Sequence, residues 1–254
     1  MKRKLSCLIL SLVLMFALTG CGGRFLKENE IADYENGEIT GKIYIQYYDA
    51  DGDLRGGEGD PISVSFKLYY QSAPNTVANF YSLVKAGKYN DTLINKPSGY
   101  DTDGIVMGKN YFGFGKDEDG KETDEIDYDS ELTVDIGYKI KGEFKKNGWE
   151  PKDDTNNKSD VKYGSMYMVL EDSQYDSASI AFGISLDNDK SAGKSNALGN
   201  ERCVFGEVST DDVEFWDFVN NSVTNSSIIG TGEKRAKIVK IEIDGDYSMK
   251  LIKA

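Results

Sequence analysis

Histidine is missing from this chain altogether. Its absence removes the commonest general base near neutral pH and the commonest metal-binding side chain together. Cysteine is nearly as scarce, with three residues in 254. Cys7 and Cys21 fall in or beside an N-terminal apolar run and Cys203 stands alone in an apolar context, so no disulfide framework is available within one chain. Positive charge is also in short supply: 30 Lys and Arg against 43 Asp and Glu give a net charge of -13. Such a surface repels phosphates, which argues against nucleic acid as a partner. The apolar run from Leu5 to Leu18 is too short for a dependable membrane span.

That run does follow Lys2, Arg3 and Lys4, the arrangement of an export signal. It ends in Leu18-Thr19-Gly20-Cys21, which resembles a bacterial lipobox. The resemblance implies cleavage before Cys21 and diacylation of its thiol; an ordinary signal peptide with an incidental Cys21 is the alternative. The expected organisation is a lipoprotein signal peptide over 1–20, a lipidated Cys21 and flexible tether over 21–38, and one folded domain over 39–254. Loss of Lys2, Arg3 and Lys4 takes the formal charge to -16. The chain is expected on the outer side of the cytoplasmic membrane of a bacterial envelope, held by its lipid and standing clear of anionic headgroups.

The folded part reads as strands with two helices. Ile43, Ile45 and Tyr47 alternate as a first strand, and Ile62, Val64, Phe66 and Leu68 alternate with Ser63, Ser65 and Lys67 as a second. Pro74 suits the first turn of a helix, and Val77, Phe80, Tyr81 and Val84 recur at three- and four-residue steps before Gly87 ends it. Strand-length runs follow at Ile105–Met107, Met166–Leu170, Ser179–Ile184 and Cys203–Gly206. A second helix is expected over Asp211–Asn220, capped by Ser209 or Thr210, with Val213, Trp216 and Val219 sharing a face. Val239, Ile241 and Ile243 make a last strand. Many antiparallel strands with a helix at either end fit a mainly β fold, a closed barrel of about eight strands capped by two α-helices.

Several stretches in order resemble the cyclophilins. Ala73-Pro74-Asn75-Thr76-Val77-Ala78-Asn79-Phe80 is similar to that family's first helix. Ile140-Lys141-Gly142-Glu143-Phe144 with Asn147-Gly148 looks like its bacterial K-G-E-F, N-G element. Gly164–Met168 falls on G-x-L-S-M, Asp176–Ser179 on the N-S-A-S turn, and Val204–Val208 on V-F-G-x-V. An acidic insertion near 116–132 lies outside the pattern. The resemblance implies a groove that binds a peptide around proline and speeds its cis/trans isomerisation, with exported client proteins as partners and no cofactor or metal. It also places substitutions in that groove. The family's F-H-R-V falls on Ile94-Asn95-Lys96-Pro97, so the catalytic Arg position carries Lys96, a point charge without the planar fork. The F-M-x-Q-G-G element falls on Ile105 to Asn110 and puts Gly108 where a Gln holds the substrate carbonyl. Q-F-F-I becomes Ala181-Phe182-Gly183-Ile184, and the pocket His becomes Arg202.

With W-L-D-G falling on Ala197-Leu198-Gly199-Asn200, the resemblance nominates Lys96 and Arg202 as catalytic and Ile105, Val106, Phe182 and Leu198 as substrate-binding. Two readings stay open: a peptidyl-prolyl isomerase of weak activity, and a non-catalytic scaffold that binds a peptide or protein. Oligomeric state is left open. Asp49, Asp51, Asp53 and Asp60 imitate calcium-loop spacing, but Leu54 stands where such a loop needs Gly, so a solvated hairpin is expected. The acidic run from Asp117 to Asp129 is expected to be an exposed charged stretch.

Overall fold

A computed structural model describes residues 39–57, 61–95, 104–151, 155, 158–170, 174–186, 202–224, 229–249, 251 and 253, with the side chains of 222–224 excepted. Eight strands form one antiparallel path. β1 (Ile39–Tyr48) and β3 (Ile62–Leu68) are the two alternating segments, and the short β2 (Leu54–Arg55) pairs only with β1 among the described residues. β4 (Ile94–Asn95), β5 (Gly104–Met107), β8 (Ser165–Met168), β9 (Phe182–Ser185), β10 (Val204–Val208) and β11 (Lys237–Ile243) complete the order β11-β1-β3-β10-β8-β9-β5-β4. The two ends of the path meet. Leu93 bridges Lys237, the Ile94 N–H donates to the Ala236 carbonyl at 2.8 Å, and the Ile238 N–H donates to Thr92 at 2.8 Å. Among the described residues closure leaves this sheet no long free edge, as expected of a barrel.

Alternation sends Ile43, Ile45, Val64, Phe66, Met107, Met166, Phe182, Ile184 and Phe205 into one interior cluster. Helix α1 (Pro74–Lys85) closes over it with Val77, Phe80, Leu83 and Val84. Gly87 ends the helix as expected: its φ of +65° admits a left-handed turn, and the Lys88 N–H donates back to the Leu83 carbonyl at 2.9 Å. Helix α2 runs over Val213–Thr224, two residues later at its start than expected and four further at its end. Its buried face is Phe215, Trp216, Phe218 and Val219, while Val213 is 65% exposed. Val213 lies about 200° around the helix from Phe215, so it cannot share that face. Asp212 serves elsewhere, accepting the Ser65 N–H at 2.8 Å.

The acidic insertion is an ordered hairpin. β6 (Asn110–Lys116) and β7 (Glu122–Thr133) pair in a separate two-stranded sheet, joined by a turn in which the Asp117 carboxylate accepts the Asp119 and Lys121 N–H groups.

The K-G-E-F element has a structural task. Asp176 accepts from the Gly142 N–H and Asn147 Nδ2, each at 2.9 Å, and from Lys141 Nζ at 3.2 Å, tying that element to the turn before β9. Burial opposes ionisation of Asp176, yet these three donors hold its carboxyl below the usual range. Glu143 reaches the start of α1, where helix N–H groups have no partner within the helix. It accepts the Asn75 N–H at 2.9 Å and the Thr76 N–H at 2.7 Å. Complete burial pushes its pKa up to about 7, against the pull of those bonds. A carboxyl whose pKa is raised by folding stabilises the folded state fully below its unfolded value near 4.5 and gives that contribution up as pH rises through about 7. The wild-type melting temperature should therefore fall between about pH 5 and pH 8, and Glu143→Gln should flatten that fall. Parallel slopes in thermal scans of the two proteins would contradict this.

Candidate functional site

The residues nominated for a groove lie on strands that pair side by side, so register decides which of them meet. Val106 of β5 is opposite Gly183 of β9, Gly183 is opposite Tyr167 of β8, and Tyr167 is opposite Val204 of β10. Their neighbours Met107, Phe182 and Met168 form the adjacent interior row. Successive residues point to opposite faces, so Val106, Gly183, Tyr167 and Val204 make a row on the outside of the barrel. Tyr167 and Val204 belong to a second, smaller apolar cluster with Tyr69 and Val161, and Val169 packs at its margin.

This row is apolar and built around a glycine, and it is covered: Val106, Tyr167 and Val204 are only 7%, 6% and 3% exposed. A Cβ on Gly183 would lie 2.3 Å from Tyr167 Cζ and 2.5 Å from its Oη, so the tyrosine ring lies directly across position 183. A Cβ on Gly104 would meet the same Oη at 2.7 Å. The pocket-lining Phe that the resemblance assigns to position 183 has no room here. The Tyr167 ring of the neighbouring strand, with its phenol oxygen, occupies that space. Sequence reasoning missed Tyr167. The signal was a pair of changes, a Gly where Phe is expected and a Tyr where the G-x-L-S-M element has Ser, and only the strand register connects them.

Gly108 is hemmed in by a tyrosine in a comparable way. Its φ is +78°, and a Cβ there would lie 2.7 Å from the Tyr89 ring, whose hydroxyl donates to the Ile180 carbonyl at 3.0 Å. A Gln at this position would need both a different backbone and a displaced Tyr89.

Of the nominated residues, the structure brings Val106 into the outer row. Ile105 and Phe182 sit on the other face, buried in the interior cluster, because each is one residue out of phase with that row. Arg202 is half-buried immediately before the inward Cys203, at the start of β10. Lys96, Leu198 and Cys21 lie outside the described residues. Cys203 is buried with its sulfur 3.1 Å from Thr76 Oγ1, and burial pushes the thiol pKa up, which keeps it protonated and unreactive.

The calcium-like loop uses its first acid internally. Asp49 accepts the Asp51 and Asp53 N–H groups at 3.1 and 2.9 Å and Arg55 Nε at 2.9 Å, and these bonds hold its carboxyl below the usual range. Asp60 lies outside the described residues. Among the described residues no three His, Cys, Asp or Glu side chains gather as a metal site.

A family model, cyclophilin type peptidyl-prolyl cis-trans isomerase, matches residues 58–243, from the connection before β3 to the last residue of β11. No curated protein matches the chain. Among solved structures, a Cryptosporidium parvum cyclophilin type peptidyl-prolyl cis-trans isomerase is similar at 16% identity and a TM-score of 0.44, over 81% of this chain and 99% of that one. The structure of that protein in the presence of the dipeptide Ala-Pro is similar at 15% identity and a TM-score of 0.42, over 80% and 99%. Neither likeness is close enough to bear on the groove.

The competition of positions 183 and 167 for one space is testable as a cycle. Gly183→Phe alone should overpack the row and cost about 1–3 kcal/mol. The double variant Gly183→Phe/Tyr167→Ser should recover much of that loss, giving a coupling of roughly 1 kcal/mol or more in urea denaturation. Additive effects would mean that the two side chains do not compete for one space.

Proposed function

We propose, for a chain that belongs to the cyclophilin type peptidyl-prolyl cis-trans isomerase family, an envelope protein that binds proline-containing segments of exported proteins and isomerises them slowly. What supports the reading is the family match over residues 58–243, which takes in the barrel strands that carry the row of Val106, Gly183, Tyr167 and Val204. The barrier to rotation is about 18–20 kcal/mol, and the uncatalysed step takes tens to hundreds of seconds, so modest stabilisation of the twisted amide is useful. No covalent step is required. A donor aimed at the prolyl nitrogen as it loses conjugation suffices, and Lys96 and Arg202 are the cations assigned to that work. Lys96 offers a single point charge, which is the reason for expecting a slow enzyme.

A second reading is favoured by one observation, the crowding of Gly108 by Tyr89. Loss of the carbonyl-holding side chain together with the backbone that would carry it fits a scaffold that binds extended segments and does not turn over. Exchange spectroscopy on proline tetrapeptides with the domain from Arg24 onward separates the two. Acceleration above the uncatalysed rate that drops in Lys96→Ala or Arg202→Ala would support the enzyme. Saturable binding with no acceleration, over a range of residues before proline, would support the scaffold.

Lipid attachment at Cys21 and an outward-facing location belong to the same proposal, supported by the order of basic, apolar and small residues over 1–21. Among the described residues no helix is long and apolar enough to cross a membrane. Cys21→Ala is expected to move the full chain from the membrane fraction to the soluble fraction and to remove the acyl mass from its N-terminal peptide. Retention of either would overturn the anchor.

A further inference from the structure

An open cleft of about 660 Å³ lies between the β6–β7 hairpin and one end of the barrel, and it shares no lining residue with the outer row. One wall is the hairpin. Phe112 and Phe114 alternate with Gly113 and Gly115 along β6, Phe114 is opposite Ile126 in register, and the rings of Phe112 and Tyr128 meet edge to face at 5.1 Å. All four of these apolar side chains line the cleft. The opposite wall is the end of β1, with Tyr48, and the loop after α1, with Lys88 and Asp91.

The hairpin is poorly covered for what it carries. Phe114, Ile126 and Tyr128 are 45%, 49% and 41% exposed. A two-stranded ribbon is marginal by itself, and large apolar side chains clustered on its surface mark an interaction site. The ribbon is nevertheless held in place at its base. The Leu93 N–H donates to the Asn110 carbonyl at 2.7 Å, and Arg235 forms an ion pair with Glu131.

Charge decides what fits. Residues 116–131 carry nine acids against two lysines. The charged residues lining the cleft are Lys88, Lys237, Asp91, Asp135 and Glu233, with Lys237 paired to Asp91 at 2.7 Å, and the ribbon's acids surround it. Aromatic faces attract cations as carboxylates do, and at this end of the barrel Lys234 Nζ already lies 5.4 Å over the Tyr48 ring. A second copy of the chain would bring the same acidic ribbon and be repelled, and an anionic membrane or nucleic acid would be repelled likewise. Among the described residues β6 and β7 pair only with each other, so the ribbon also offers backbone groups to an extended chain.

We propose that this cleft is a second binding site, for an extended segment of another protein in which Lys or Arg alternates with aliphatic residues. The aliphatic side chains pack on Phe114, Ile126 and Tyr128, and the alternate cations reach the ribbon's other face, where Asp127 and Asp129 lie. The site works independently of proline and of the groove.

The probe is a labelled, acetylated peptide of alternating Leu and Lys without proline, titrated against the full chain in detergent and read by fluorescence anisotropy. Matched peptides with Ser for Leu and with Glu for Lys serve as controls. Saturable binding of the Leu/Lys peptide is expected, weakened roughly tenfold or more by Phe114→Ser/Ile126→Ser, by Asp127→Lys/Asp129→Lys, and in either control peptide. Tyr167→Ser should leave it unchanged, which separates this site from the groove. The two double variants act on apolar surface and on charge separately, so loss in both with an unchanged barrel melting temperature assigns the effect to the cleft. Absence of binding, equal binding of the Ser/Lys peptide, or unchanged affinity in the Phe114→Ser/Ile126→Ser protein would overturn the proposal. So would a dimer in sedimentation that this variant dissolves, because the occupant would then be a second copy.

Discussion

Phe80 is the contact around which the barrel is organised. Its ring lies 5.8 Å from Phe66, 5.2 Å from Tyr89, 5.4 Å from Phe182 and 5.3 Å from Phe205, so α1, β3, β9, β10 and the loop after the helix converge on one side chain. Edge-to-face geometry at Phe66 and Phe182 fixes ring orientation as well as distance. A ring held on so many sides sets how far the helix sinks into the barrel. Glu143 then fixes the helix along its axis by taking its first free N–H groups. Stacking and capping together leave the helix little freedom to slide, and the strands packed under it inherit that rigidity.

Rigidity of this kind bears on how glycines and tyrosines fit together across the strands. With Phe182 held against Phe80 and Tyr89, the strand carrying it cannot shift, so a change on its outer face has to be balanced by a neighbour on the next strand. Tyr167 across Gly183 and Tyr89 beside Gly108 are both balances of this type: a glycine on one element, a tyrosine on another, and one ring in the space between. Packed interiors tolerate such exchanges when total volume is kept.

Much of the fold was legible in the residue pattern. Period-two alternation identified β1 and β3, and Pro74, the apolar steps after it and Gly87 identified α1, because each signal is local and each residue acts where it stands. Val213 was misread because an apolar residue beside a cap looks the same whether the helix begins before it or at it. The hairpin was read only as an acidic insertion, since its charges dominate its composition and its apolar residues are interleaved with glycine on one strand and with acids on the other. The groove was the least legible part. Assignment by motif put Ile105 and Phe182 beside Val106, whereas strand alternation separates them by face. Tyr167 enters the site only through a cross-strand register that no single segment encodes. Glu143 lay in a recognised motif, but its partners are 67 and 68 residues away.

The run of β1 also gives the molecule two poles. Its first residues lie beside the end of β11, where Gly41 is opposite Ile243, and its last residue, Tyr48, lines the cleft under the hairpin. Ten residues of strand separate those ends, roughly 30 Å. The chain therefore enters the barrel at one pole and opens the cleft at the other. A force applied along β1 from its first residue would therefore be delivered at the cleft.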